Sequence, residues 1–180
     1  MSDLVTVILA AGKGTRMKSA LPKVLHKAGG KAMVAHVLAA AKAAGAMRQI
    51  VVTGFGGDQV REALAGQAEF VTQTEQLGTG HAVKMTAPLL KDTQGTLMVL
   101  CGDTPLLTGA LLKKLYDEHI AAQAKATVLT AVMPDATGYG RIIRQADGSV
   151  EKIVEHKDAT EACPLYTSDA ADEEDRIEHG

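Results

Sequence analysis

A chain of 180 residues, 46% of them hydrophobic, is long and apolar enough for one domain with a real core, which sets disorder aside as the default. Aromatic residues make up only 3% and Trp is absent, which argues against a nucleic-acid binder that stacks bases on aromatic platforms. The formal charge of −2 is unevenly spread: residues 169–180 carry six acids and one Arg, leaving +3 on residues 1–168, a balance that suits an anionic ligand without demanding one.

Two cysteines, Cys101 and Cys163, make neither a disulfide framework nor a zinc site, so a reduced, cytoplasmic protein is expected. The opening MSDLVTVILAAG lacks the cationic start and long apolar run of a signal peptide, and no stretch reaches membrane-spanning length.

Leu4 to Leu9 (LVTVIL) is a short apolar run closed by Ala-Ala-Gly, the pattern of a buried parallel strand. Residues 32–44 place Met33, Val34, Val37, Leu38 and Ala41 at helical spacing before a stop at Gly45. Gln49–Thr53 reads as a strand, Gly57–Leu64 as a short helix and Glu69–Thr72 as a third strand. A helix is expected over Thr79–Leu90, then a buried strand over Thr96–Leu100. Residues 109–122 read as a helix with Leu111, Leu112, Leu115 and His119 near one face, followed by a strand over Thr127–Val132. Gly140–Arg144 and Val150–Glu155 flank Asp147-Gly148, a hairpin signal. Alternating strands and helices predict a parallel sheet with right-handed crossovers and an antiparallel insertion near its end. Ligands of such sheets bind outside the carboxyl ends of the strands. Beyond Pro164 apolar periodicity stops and acids cluster, so residues 162–180 are expected to form a disordered or foreign tail.

Several segments carry chemistry. In LAAGKGTRMKSALPK (residues 9–23), Ala10, Ala11, Gly12 and Gly14 allow close backbone approach to a phosphate, and Lys13, Arg16 and Lys23 add positive charge. The spacing is neither that of a Walker A loop nor GxGxxG, and the bland alternative is a solvated turn with surface cations. QTEQLGTGHA (residues 73–82) reads either as a loop with a helix cap at Thr79 or as a base reader, since a Gln amide offers a donor and an acceptor. His81 is either a base or ligand or a structural histidine at a helix start. Asp103, after TLMVLCG, is a carboxylate at a strand's carboxyl end, placed either to hold Mg²⁺ together with substrate phosphates or simply to turn the chain before Pro105. TGYGR (137–141) and Glu155 either meet a sugar or serve as a bend and a hairpin acid.

Together, LAAGKGTRM…LPKVLH, QTEQLGTGHA, GDTPLL, TGYGRI and IVEHKDAT resemble, in order and interval, the sugar-nucleotide pyrophosphorylases. Within that family the chain is similar to the uridylyltransferase half of the bacterial bifunctional N-acetylglucosamine-1-phosphate uridylyltransferase/glucosamine-1-phosphate acetyltransferases, over roughly residues 4–161. The resemblance implies an α/β, Rossmann-like nucleotidyltransferase domain with a mostly parallel sheet, here C-terminally truncated. It implies transfer of UMP from UTP to N-acetylglucosamine 1-phosphate with Mg²⁺, giving UDP-N-acetylglucosamine for cell-wall synthesis, with neither nucleic acid nor membrane as partner. On the family's pattern Leu9, Ala10, Ala11 and Gly12 lie along the nucleotide, Arg16 and Lys23 neutralise its phosphates, and Gln73, Gly78 and Thr79 contact uridine. Asp103 binds the metal, and Gly140 and Glu155 contact the sugar.

The chain also departs from the pattern. The family continues past IVEHKDAT to an Asn-Thr-Gly segment, and a second Asn joins the metal, yet this chain has no Asn at all. A truncated or frame-shifted product is therefore expected, with two alternatives: another NTP-transferase of cytidylyl or molybdenum-cofactor type, or a nucleotide-binding remnant without turnover.

Overall fold

The computed structural model describes residues 3–14, 17–135, 137–145, 149–154, 166–167 and 176–179. The chain divides into two compact units, Met1–Lys113 and Lys114–Gly180.

The first unit is built on a four-stranded parallel sheet of β1 (Asp3–Ala10), β4 (Arg48–Thr53), β5 (Glu69–Thr72) and β6 (Gly95–Cys101), in the order β5-β4-β1-β6. The central strand β1 is buried on both sides, which is why it reads as a continuous apolar run: Leu4, Val5, Val7 and Ile8 are all sealed from solvent. Val5 and Val7 join Ile50, Val52, Ala11 and Ala82 in one core cluster. Between β1 and β4 come a 3-10 turn at Lys23–Leu25, a small hairpin of β2 (Lys27–Ala28) and β3 (Lys31–Ala32), and helix α1 (Met33–Ala43). Helix α1 buries Val34, Val37, Leu38, Ala40 and Ala41, the stripe its periodicity predicts. Helix α2 (Gly57–Ala63) connects β4 to β5.

Two expectations need correction. The helix expected over Thr79–Leu90 is two short ones, α3 (Thr79–Lys84) and α4 (Ala87–Leu90). Pro88 stands in the first turn of α4, where its missing N–H costs nothing; one unbroken helix would drive its ring against the carbonyl of residue 84. Strand β6 is buried on one face only: Met98 and Leu100 are sealed, while Leu97 and Val99 are 39% and 44% exposed. Among the described residues β6 is the edge of the four-stranded sheet and pairs with β1 alone.

An ion pair ties the amino ends of β4 and β5. Arg48 Nε donates to Glu69 Oε1 at 2.9 Å and Nη2 to Oε2 at 3.0 Å, while Nη1 reaches Thr93 Oγ1 at 3.0 Å. The hydrogen bonds from Arg48 hold the Glu69 carboxyl below its ordinary pKa, with partial burial opposing them and the guanidinium charge adding to them. A depressed carboxylate pKa contributes stability that is present above the unfolded-state value and lost as pH falls through the folded one. Both side chains are about two-fifths exposed, which limits the pair to about 0.5–1 kcal/mol. Glu69→Gln should lose that amount at pH 7 in urea unfolding, and the difference from the parent should vanish below the carboxylate range. A difference that persists unchanged at low pH would show that charge is not its source.

The second unit contains β7 (Thr127–Val132) and the hairpin of β8 (Arg141–Arg144) with β9 (Val150–Val154), which pair antiparallel as the Asp147-Gly148 signal predicts. The turn itself, residues 146–148, lies outside the described residues. In the stretch expected to lack regular structure, β10 (Tyr166–Thr167) and β11 (Arg176–His179) pair antiparallel with β7, in a five-stranded sheet ordered β11-β7-β10-β8-β9. Helix α5 (Gly109–Ala121) precedes β7; Thr108 caps it, its Oγ1 accepting from Leu111 N–H at 3.2 Å. Of its expected apolar face only Leu112 is fully buried. Among the described residues no helix is long and apolar enough to cross a membrane.

Candidate active site

In order of connection the four parallel strands run β1, β4, β5 and then β6, so the chain adds strands on one side of β1 and then crosses to the other. The carboxyl ends of β1 and β6 therefore flank a topological switch point, where open α/β sheets form their binding crevice. Both strand ends carry predicted site residues. β1 runs out through Leu9 and Ala10 into Ala11 and Gly12, and β6 into Gly102 and Asp103. The two exits are tied together by Gly102 N–H, which donates to the Leu9 carbonyl at 2.9 Å. Only glycine fits there: a Cβ on residue 102 would stand 2.8 Å from that same carbonyl oxygen.

Lys23 and Asp103, 80 residues apart in sequence, meet at this crevice, with Nζ 2.5 Å from Oδ2. The 3-10 turn at Lys23–Leu25 buries Val24 and Leu25 and leaves the Lys23 side chain 41% exposed. Asp103 follows Gly102 in the turn after β6, and Thr104 steadies that turn by donating from Oγ1 to the Cys101 carbonyl at 2.7 Å. The result is a paired cation and carboxylate, both reachable by solvent, at the mouth of the sheet.

The loop from β1 is shaped to admit the lysine. Gly14 has φ +57°, and a Cβ there would stand 2.7 Å from the Lys23 Cβ. Gly14→Ala should therefore strain the loop by about 1–2 kcal/mol and push the lysine stem aside. Urea unfolding should show that loss, and an unchanged midpoint would show that the loop accommodates the Cβ without strain.

A second cluster follows β5. Gln73 is buried; its N–H donates to the Thr53 carbonyl at 2.7 Å and its Nε2 to the Gly78 carbonyl at 3.0 Å. The same Nε2 lies 3.0 Å from His81 Nδ1. Gly78 precedes α3 and Thr79 is its first residue, so the cap stands one residue before the Thr79 expected from sequence. The link to His81, on the first turn of α3, has no signal in sequence beyond the spacing of Gln73, Gly78 and His81.

The structure thus brings Leu9, Ala10, Ala11, Gly12, Lys23 and Asp103 to the carboxyl ends of β1 and β6, and gathers Gln73, Gly78 and Thr79 around the start of α3. Gly140 belongs to the second unit, immediately before β8. Arg16 and Glu155 lie outside the described residues. Among the described residues no group of three or more His, Cys, Asp or Glu side chains forms a metal cluster.

Residues 6–157 match the family described as the MobA-like NTP transferase domain. The chain belongs to that family. This NTP transferase domain is 55% identical over 155 residues to the bifunctional protein GlmU of Lactococcus lactis subsp. lactis (strain IL1403), covering 86% of this chain and 34% of that protein. It is 58% identical over 160 residues to the bifunctional protein GlmU of Shouchella clausii (strain KSM-K16), covering 89% of this chain and 35% of that protein. The chain spans about a third of the length of these curated relatives. Among solved structures, UDP-glucose pyrophosphorylase from Acinetobacter baumanii superposes with a TM-score of 0.75 at 19% identity, covering 93% of this chain and 72% of that one. A UDP-glucose pyrophosphorylase complexed with UDP-glucose gives 0.74 at 19% identity, covering 99% of this chain and 76% of that one. These likenesses establish the nucleotidyltransferase fold of the NTP transferase domain.

Proposed function

We propose that this chain is a uridylyltransferase that moves UMP from UTP to N-acetylglucosamine 1-phosphate, releasing pyrophosphate and forming UDP-N-acetylglucosamine. The observation that carries this reading is the identity of 55–58% to bacterial GlmU proteins over 86–89% of the chain. The family match alone leaves the base open, because molybdenum-cofactor-type relatives share the first loop. The resemblance of QTEQLGTGHA, the segment after β5, to the uridylyltransferases favours uridine. The product would supply cell-wall synthesis, in the cytoplasm where nucleoside triphosphates are held.

The chemistry suits the crevice. The attacking sugar phosphate is already an anion, so no side chain has to remove a proton. The obstacle is the approach of one anion to the phosphorus of another, and positioning with charge neutralisation meets it. In our reading Ala10, Ala11 and Gly12 let the β1 loop lie against the triphosphate, and Lys23 and Arg16 bring positive charge to its oxygens. Gln73, Gly78 and Thr79 meet the uridine, and Gly140 and Glu155 the sugar.

Asp103 fits a divalent cation: its carboxylate already faces one cation, the Lys23 ammonium, and stays open to solvent. Mg²⁺ commonly takes one or two carboxylates and completes its shell with phosphates and water. Bound there, it would neutralise triphosphate charge as pyrophosphate leaves. Lys23, on its four-carbon stem, would then be released from Asp103 to the phosphate oxygens.

Pyrophosphate release measured with UTP, CTP, GTP and dTTP against several sugar phosphates tests the reading. UTP with N-acetylglucosamine 1-phosphate should be preferred. A preference for CTP would overturn the uridine assignment, and UTP binding without release would overturn the transferase.

A further inference from the structure

The geometry points to His81 as a positioning residue that fixes the Gln73 amide and thereby selects the nucleotide base. Gln73 Nε2 has two hydrogens, and both are used. One goes to the Gly78 carbonyl at 3.0 Å, which can only accept and so fixes which end of the amide is nitrogen. The other faces His81 Nδ1 at 3.0 Å, which makes Nδ1 the acceptor and leaves the ring's proton on Nε2. The remaining end, Oε1, takes no hydrogen bond among the described residues. Gln73 as a whole is 4% exposed, and among the described residues Oε1 is not one of the sealed, unpartnered side-chain atoms, so it keeps a narrow opening to solvent.

A glutamine free to turn shows a ligand either a donor or an acceptor. This one, with both N–H groups consumed, shows only an acceptor. An acceptor attracts the N3–H of uracil and repels the N3 lone pair of cytosine. Gly78 alone would still hold the amide, but one hydrogen bond on an otherwise buried side chain leaves the second N–H unsatisfied. That deficit offsets the cost of flipping, and a flipped amide accepts cytosine. His81 removes the incentive to flip. This assignment rests on the uridylyltransferase reading above and extends it to a residue whose role is to orient another.

The test measures UTP and CTP dissociation constants with Mg²⁺ for the parent chain, His81→Leu and His81→Asn. It also measures the histidine tautomer by ¹⁵N NMR. The Asn side-chain oxygen sits as many bonds from Cβ as Nδ1 does and replaces it as acceptor. The parent should prefer UTP. His81→Leu should lose about tenfold of that preference while UTP affinity falls less, and His81→Asn should restore most of it. The His81 ring should carry its proton on Nε2. A preference unchanged in His81→Leu, or a ring protonated on Nδ1, overturns the role of His81 and leaves the proposed function standing. A parent chain that binds neither nucleotide overturns both.

Discussion

Asp103→Ala is expected to lower kcat/KM for pyrophosphate release by at least about 100-fold, with little change in folding stability. The expected size of the loss follows from where the carboxylate stands. It lies at the switch point between β1 and β6, on a turn held by Thr104, and faces Lys23 at 2.5 Å. On the proposed function, removing it takes away the carboxylate oxygens that would hold a cation beside the triphosphate, and it removes the partner that Lys23 faces. Stability should change by no more than about 1 kcal/mol, because the Asp103 and Lys23 side chains are 31% and 41% exposed and water screens the pair. Asp103→Asn keeps the shape and one acceptor but not the charge, and should lose nearly as much activity as the alanine variant. Lys23→Ala should also be severely impaired. The double variant should be far less damaged than the product of the two losses, since the pair acts as a unit. Steady-state kinetics on the four proteins decides this. An asparagine variant with parental turnover would show that the carboxylate's charge has no part in the reaction.

Ile8→Ala is expected to cost about 2–5 kcal/mol in urea unfolding, a large share of the stability of an ordinary domain. Ile8 is fully buried in the central strand, opposite Val51 on β4 and Leu100 on β6. Its truncation leaves a cavity between neighbours fixed by ladders on both sides, so the site cannot collapse to fill it. Leu97→Ala, on the open face of β6, should cost less than about 1 kcal/mol because the side chain is already 39% exposed. Because Ile8 also lies beside Gly102, the Ile8 variant should loosen the turn that carries Asp103. Equal losses for Ile8 and Leu97 would contradict the burial of β1 as the core of this sheet.

Much of the fold is legible in local pattern. The run LVTVIL announces β1, the helical spacing of Val34, Val37, Leu38 and Ala41 announces α1, and Asp147-Gly148 announces the β8–β9 hairpin. The bounds expected for Glu69–Thr72 and Thr127–Val132 coincide with β5 and β7. These features depend on interactions between residues close in the chain, so sequence period and turn chemistry suffice. The break at Pro88 was also written locally, and the apolar residues around it concealed it.

What local pattern does not carry is partnership across the chain. TLMVL has the composition of a buried strand, but whether it lies inside a sheet or at its edge depends on which strands pair with it. The amide of Gln73 offers a donor and an acceptor in any sequence; only packing against Gly78 and His81 spends the donors and leaves the acceptor. The motif GKGTR and the run CGD each point to anion or metal chemistry separately. By itself the sequence determined the residue types a phosphate site requires and the strands that would carry them. Only the tertiary structure decided that Lys23 and Asp103 share one site, because strand order alone brings residues 80 apart to the same end of β1 and β6.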